Sequence, residues 1–426
     1  MKIMSTEQFK SETKESTTDL LNEKELDDAV LPIIQQVKND GDAALFDLTE
    51  KFDHVRLDQL LVRPEEFKEA MEGVDEAFLT SIRQAKENIA AFHQLQKEET
   101  WISQPKQGIT LGQKVTPMDR VGIYVPGGKA AYPSTVLMNV IPAKIAGVDH
   151  IAITTPPGKD GKVNPYVLAA AFETGVDTIY KVGGAQAIAA LAYGTETIDK
   201  VDKIVGPGNA FVARAKKWVF GDVAIDMIAG PSEICVVADE TAPVDYVAAD
   251  LLSQAEHDES ARSICVTPDA NFAHKLEQEI TKQLEKLERQ AIAKQSLEQN
   301  GKIIVTDDLE EAFEIVNIIA PEHLQLMIES PAEYVDLVKH AGAIFLGHHS
   351  PEPLGDYFAG PNHTLPTSGT ARFASPLGVY DFIKRSSIIR YSKEQLQQSA
   401  DSIINIAHVE GLTAHAKSIQ LRKDDQ

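Results

Sequence analysis

Val121-Gly122-Ile123-Tyr124-Val125-Pro126-Gly127-Gly128 is a short apolar run that stops in a proline–glycine turn. Such a run, bounded by Gly and Pro, reads as a buried strand, and the segments on its carboxyl side decide the fold. Residues 136–145 have helical spacing, Ile151-Ala152-Ile153-Thr154-Thr155-Pro156 is again a strand, and further strands are predicted at 178–182, 203–205 and 234–237. Strand and helix in alternation predict βαβ units and a mostly parallel sheet. The same order then recurs: helix 244–252, strand Ser263-Ile264-Cys265-Val266-Thr267-Pro268, a helix, strand 302–306, a further helix, and strand 324–327. The fold expected is therefore α/β, with two similar modules of the kind a duplication produces.

Outside the modules the texture is helical. Between residues 17 and 100, Leu26, Val30, Ile33, Ile34 and Val37 recur at helix spacing, Asn39-Asp40-Gly41-Asp42 interrupts them, and 78–95 forms a longer amphipathic stretch. A helix is predicted from 393 to about 421. Between it and the second module, 348–378 has little periodicity, and a loop of that length inside a compact protein is usually functional. The expected organisation is a helical N-terminal region at 1–107 packing on the second module, a first module at 108–234, a second at 235–377, and a helical tail at 378–426.

Composition narrows the class. The 426 residues are 43% hydrophobic and 25% charged, the usage of an ordinary globular protein of two to three domains. Asp plus Glu is 64 against 41 Lys plus Arg, a net charge of −23 with no basic run, which disfavours nucleic acid and anionic membrane as partners. Met1-Lys2-Ile3-Met4-Ser5-Thr6-Glu7 enters charged residues at once, and no apolar run approaches the ~18 residues of a membrane span, so a cytoplasmic location is expected. Cys235 and Cys265 each sit inside a strand-like run and read as small core residues, without the turn or electropositive neighbour of a thiol nucleophile.

Polar groups in apolar places mark the candidate chemistry. The apolar run 244–252 ends in Ser253-Gln254-Ala255-Glu256-His257, so Gln254 and His257 fall one helical turn apart. Asp356 follows Gly355 in the long loop, His415 lies on the terminal helix, and Glu322-His323 stands where a helix gives way to a strand. Singly, each also reads as a capping, turn or surface residue. Jointly, Gln254, His257, Asp356 and His415 offer two oxygen and two nitrogen donors, a set suited to zinc, and leave Glu322 and His323 as an acid/base pair. Strand-to-helix glycine turns at 126–128, 182–186 and 205–209 could take a nucleotide's phosphates, but none is Gly-x-Gly-x-x-Gly.

Taken together the motifs resemble the histidinol dehydrogenase family. They are Gly41-Asp42-Ala43-Ala44-Leu45 with Phe52-Asp53, Tyr124-Val125-Pro126-Gly127-Gly128, Val182-Gly183-Gly184-Ala185-Gln186-Ala187, Gly206-Pro207-Gly208-Asn209-Ala210, Ala229-Gly230-Pro231-Ser232-Glu233, Ser253-Gln254-Ala255-Glu256-His257, Ala320-Pro321-Glu322-His323-Leu324, Gly355-Asp356-Tyr357 with Asn362-His363, and Leu412-Thr413-Ala414-His415. The resemblance implies two Rossmann-like modules and NAD⁺-dependent oxidation of L-histidinol, via histidinal, to L-histidine. It further implies one zinc ion per subunit on Gln254, His257, Asp356 and His415, and NAD⁺ at Tyr124, Gln186 and Asn209 on the first module. Substrate would meet Ser232, Glu410, His323 and the four zinc ligands, Glu322 and His323 would handle protons, and a homodimer would share its active sites through the tail. Two rivals keep part of this set: a zinc hydrolase leaves the glycine turns without a ligand, and a metal-stabilised binding protein leaves Glu322 and His323 idle.

Overall fold

A computed structural model describes residues 1–15, 20–127 and 131–425; Gly128 and Thr17 lie outside the described residues. The chain opens with β1 (Lys2–Ser5), α1 (Thr6–Glu15), α2 (Leu20–Asp53), α3 (Pro64–Gly73) and α4 (Glu76–Gln94), followed by β2 (Trp101–Lys106) and β3 (Ile109–Pro117). A first module runs β4 (Arg120–Tyr124), α5 (Pro133–Ala146), β5 (His150–Thr154), α6 (Pro165–Thr174), β6 (Ile179–Tyr180), α7 (Gly184–Tyr193), β7 (Lys203–Val205), α8 (Ala210–Val219) and β8 (Ala224–Ile225). A second runs β9 (Glu233–Ala238), α9 (Val244–Ala255), β10 (Arg262–Thr267), α10 (Ala270–Leu284), α11 (Gln290–Gln299), β11 (Lys302–Val305), α12 (Leu309–Ile319), β12 (His323–Met327) and β13 (Ala343–Leu346). The remainder holds α13 (Glu352–Tyr357), β14 (Ile383–Tyr391), α14 (Lys393–Val409) and α15 (Thr413–Asp424).

The first sheet is ordered β6-β5-β4-β7-β8 and the second β1-β11-β10-β9-β12-β13, with every pairing parallel. Numbered within its module, each sheet reads 3-2-1-4-5, the second with β1 added at its edge. The repeated strand–helix order in the sequence thus corresponds to a repeated topology. Central strands are Val- and Ile-rich because helices cover both faces; all six residues of β9 are buried. Cys235 and Cys265 pack into the cores on opposite faces of the second sheet, and burial pushes both thiols far above the ordinary range.

The N-terminal helices differ from expectation. α2 packs on α7 and α8, α3 on α6 and α4 on α5, all in the first module, while only β1 and α1 join the second sheet. The break foreseen at 39–42 is real: Gly41 has φ +54°, and a side chain there would run into the Glu196 carboxylate. That carboxylate instead accepts the Asp42 N–H at 2.7 Å, and Asp42 accepts from Thr197 N at 3.3 Å, which pins α2 to the loop after α7.

Residues 97–118 and 383–426 form a compact unit of their own, apart from the unit of 1–96 and 119–382. Its sheet is antiparallel, β14-β3-β2, with β14 paired along its whole length to β3. The segment 108–118 therefore belongs with the tail, and the tail is not helical throughout. Its helix is also two helices: Gly411, at φ +72°, breaks the run, and α15 packs back on α14. No helix among the described residues is long and apolar enough to cross a membrane.

Candidate active site

The chemistry-bearing residues of the second module gather at the amino edge of its sheet. β12 begins at His323 and β9 at Glu233, side by side, with His323 opposite Ile234. The backbone of Glu233 holds both candidate catalytic groups: its N–H donates to Glu322 Oε2 at 2.8 Å, and its carbonyl accepts from His323 Nδ1 at 2.9 Å. The Glu233 carboxylate is in turn held by Arg262 at 3.1 Å and the Ser368 N–H at 3.2 Å. With Nδ1 committed to a carbonyl, the neutral imidazole carries its lone pair on Nε2, and Nε2 is buried without a hydrogen-bond partner.

Two carboxylates face that atom, Asp356 Oδ1 at 3.7 Å and Glu352 Oε1 at 3.9 Å. They come from the segment expected to lack structure. Pro351-Glu352-Pro353 starts a six-residue helix, α13, with an acid in its first turn, so Glu352 and Asp356 lie at i and i+4 on one face. Gly355 is needed between them because a Cβ there would meet the Phe345 ring at 2.6 Å. Asn362 donates to Met138 O at 2.5 Å, while His363 Nδ1 donates to Asp356 O at 3.1 Å and its Nε2 lies 3.4 Å from Thr135 Oγ1. These contacts seat the acid-bearing segment beside the N-terminal half of α5, the helix next in the chain after Tyr124 and its strand.

Burial sets the charge states. It pushes Glu322 up to about 7, even with His323 and the Glu233 N–H favouring its anion. For His323 burial acts downward, but Glu322, Asp356 and Glu352 outweigh it and hold the imidazole up at about 10. Burial and the neighbouring Asp356 push Glu352 up to about 8, whereas Asp356, despite its own burial, is held well below the usual carboxylate range by His323 and His363. His323, Glu352 and Asp356 offer ligand atoms within 4.8 Å of one another.

Gln254 is fully buried near the end of α9, and neither its amide oxygen nor its nitrogen has a partner. His257 lies just past the helix rather than on it, exposed, its N–H on the Gln254 carbonyl at 3.2 Å and its ring near enough to feel the charges of Asp356 and His323. Ser232, immediately before β9, accepts the Arg262 N–H at 2.9 Å. Glu410, capping α14, and His415, in the first turn of α15, are exposed residues of the smaller unit. The structure thus brings Glu322, His323 and Asp356 together with two groups that sequence reasoning missed, Glu233 and Glu352. Glu233 closes the motif Ala229-Gly230-Pro231-Ser232-Glu233, and the Pro-Glu-Pro start with an acid four residues on is the available signal for Glu352.

Glu322-His323 lies at a sheet edge, yet the crevice rule for open α/β sheets concerns carboxyl ends and this pair sits at the amino end. In the first module the candidate residues do lie at carboxyl ends. Tyr124 ends β4, buried, and its hydroxyl accepts the Gly184 N–H at 3.1 Å where α7 begins without a side-chain cap. Gln186 is buried in the first turn of α7. Asn209 caps α8, its Oδ1 accepting from Phe211 N and Val212 N at 3.1 Å each.

Residues 16–423 match the family model described as histidinol dehydrogenase. The chain is 57% identical to the histidinol dehydrogenase of Oceanobacillus iheyensis over 427 residues, covering 100% of this chain and 99% of that one. With the Bacillus subtilis histidinol dehydrogenase it shares 57% identity, covering 92% of each. Among solved structures, the histidinol dehydrogenase from Elizabethkingia anophelis superposes with a TM-score of 0.90 at 42% identity, covering 96% of this chain and 93% of that one.

Proposed function

Because the chain belongs to the histidinol dehydrogenase family, we propose that it oxidises L-histidinol through L-histidinal to L-histidine, using two NAD⁺ and one water. The observation that carries this reading is the clamp of Glu322 and His323 on the backbone of one residue: a buried imidazole with an unpartnered Nε2 stands beside a carboxylate that titrates near neutrality. A general base so placed is worth ~10²–10⁴-fold.

The residues fit a zinc ion. An amide buried with both polar atoms unpaired costs about 1–3 kcal/mol for each group left unsatisfied, and a metal on Gln254 Oε1 would relieve the oxygen's share of that cost. Asp356, His257 and His415 would complete the set, leaving His323 free as the base. The alternative set of His323, Glu352 and Asp356 would consume the group best placed to move protons. The first module fits a dinucleotide, since the N-terminus of α7 lies beside Tyr124 and Gln186 and its partial positive charge suits a pyrophosphate. Bound zinc would supply a Lewis-acidic anchor for the substrate's nitrogens, and bound NAD⁺ a hydride acceptor.

His323 Nε2 takes the alcohol proton as the hydride departs. Glu322, ionised in good part near neutral pH, draws a proton from the water that adds to the aldehyde, and His323, once it has passed the alcohol proton to solvent between the two oxidations, takes another from the resulting gem-diol. A cation held at Asp356 would offset the carboxylates that otherwise keep His323 protonated. Neither thiol takes part: both cysteines are fully buried in strands.

We also propose a homodimer with shared sites. What supports it is the smaller unit's surface, where Trp101, Ile102, Ile389, Ile406 and Val409 are all more than half exposed around the elements bearing Glu410 and His415. The test of the reaction is stoichiometric. Purified protein given L-histidinol and NAD⁺ should yield two NADH per L-histidine, and a product without NADH would transfer the zinc site to hydrolysis.

A further inference from the structure

Lys216 and Asp226 form an ion pair whose side chains are 2% and 1% exposed, in a part of the first module that the proposed proton and hydride transfers do not use. Both point at one residue. Lys216 Nζ donates to the Gly206 carbonyl at 2.9 Å, and Asp226 Oδ2 accepts the Gly206 N–H at 2.8 Å while its Oδ1 accepts from Met227 N at 2.6 Å. Gly206 opens the turn between β7 and α8 at φ +108°, and a Cβ there would collide with the Tyr124 carbonyl oxygen. The turn is thus pressed onto the end of β4, at the point where the strand order reverses and a ligand crevice opens.

Stability alone does not call for this arrangement. Burying two charges carries a desolvation penalty that their attraction often fails to recover, and an apolar pair of similar volume is commonly as stable. What the charged pair does is occupy both the donor and the acceptor of a single glycine, groups that would otherwise be buried unpaired. Lys216 reaches back from inside α8, so the same contact fixes the helix start, where Asn209 stands, relative to Tyr124.

We infer that Lys216 and Asp226 are positioning residues for the dinucleotide: by clamping Gly206 they set the height of the β7–α8 turn against Tyr124, and so the fit of the crevice to a pyrophosphate. This rests on the reading that the first module takes NAD⁺. The test uses full-length, zinc-loaded protein carrying Lys216→Met with Asp226→Leu, which leaves no buried charge unpaired. NADH affinity, followed by fluorescence titration, should weaken at least tenfold and the KM for NAD⁺ should rise alike, with the KM for L-histidinol and the zinc content unchanged. A folded double variant with wild-type NADH affinity overturns the inference, as does an equal loss for both substrates. If that variant does not fold, Lys216→Met with Asp226→Asn decides, because Asn keeps an acceptor for the Gly206 N–H: a several-fold weakening for NADH alone supports the clamp, and no change sinks it. Failure of the wild type to bind NADH at all would instead remove the dinucleotide reading itself.

Discussion

The two sheets have the same strand order but carry their candidate site residues at opposite edges. In the first, Tyr124 and the turns leading to Gln186 and Asn209 lie at carboxyl ends, where strands hand over to helix N-termini. In the second, Glu233, Glu322 and His323 lie at amino ends, where α9 and α12 arrive with their C-termini. A helix N-terminus presents N–H groups and partial positive charge; a C-terminus presents carbonyls and partial negative charge. The first edge therefore suits an anion such as a pyrophosphate with little side-chain help. The second suits cations, and its chemistry must come from side chains, which is why it is dense in carboxylate, imidazole and amide.

The largest expected effect breaks that comparison outright if it fails. His257→Ala or Asp356→Ala should lose bound zinc and activity together, by more than about a thousandfold, since a metal site short of one ligand rarely holds its ion. His323→Ala should be as inactive yet retain zinc when assayed by metal analysis. Zinc lost from His323→Ala and kept by His257→Ala would move the metal to the His323, Glu352 and Asp356 cluster.

Next in size is Glu322→Gln. It should slow oxidation of L-histidinal by ~10²–10⁴-fold, the worth of a general base, while hydride transfer from L-histidinol falls much less. Single-turnover measurements of the two half-reactions separate these, and equal losses would end the division of labour between Glu322 and His323.

A smaller effect tests whether the tail serves the cation-binding edge at all. An equal mixture of His415→Ala and His257→Ala chains should regain up to about a quarter of wild-type activity, because under random mixing half the dimers are mixed and one of their two sites is intact. Verified mixed dimers without any recovery would assign the tail to its own subunit.

Much of this contrast is legible in the sequence. β7 falls on the predicted residues, and Gln254 with His257 stands out as a pair of polar groups closing an apolar helix. Even the edge is readable, because Ala320-Pro321-Glu322-His323 runs from helix to strand and so marks an amino end. The features that leave no local trace are short or long-range. α13 has six residues, too few for a period, and Glu352 is hidden with it. β1 is a four-residue edge strand whose partner lies at 302–305, and β2 is exposed along its whole length and shows no alternation. The packing of α2 on the first module is fixed at its break by Glu196 meeting Asp42, a contact across 154 residues that no local pattern announces.

The smallest effect concerns what the second edge costs the fold. Glu322 titrates at about 7 in the folded protein against an ordinary value of 4.5. Below pH 4.5 it is protonated whether folded or unfolded and costs nothing. As pH rises from 4.5 to 7 the unfolded chain releases the proton first, so stability falls, and above 7 the whole penalty is present. The shift corresponds to at most about 3 kcal/mol. The first edge, built from backbone turns, carries no such titrating acid at Tyr124, Gln186 or Asn209. Glu322→Gln keeps an oxygen for the Glu233 N–H and removes the buried charge, so the variant should unfold like wild type at pH 4.5 and resist denaturant more than wild type at pH 8, measured on chelator-treated protein. Glu322→Gln thus separates activity from stability, losing one and gaining the other. A variant less stable than wild type at pH 8 would mean that the carboxylate's attraction to His323 outweighs its burial, and that the amino edge is held together by its charges rather than in spite of them.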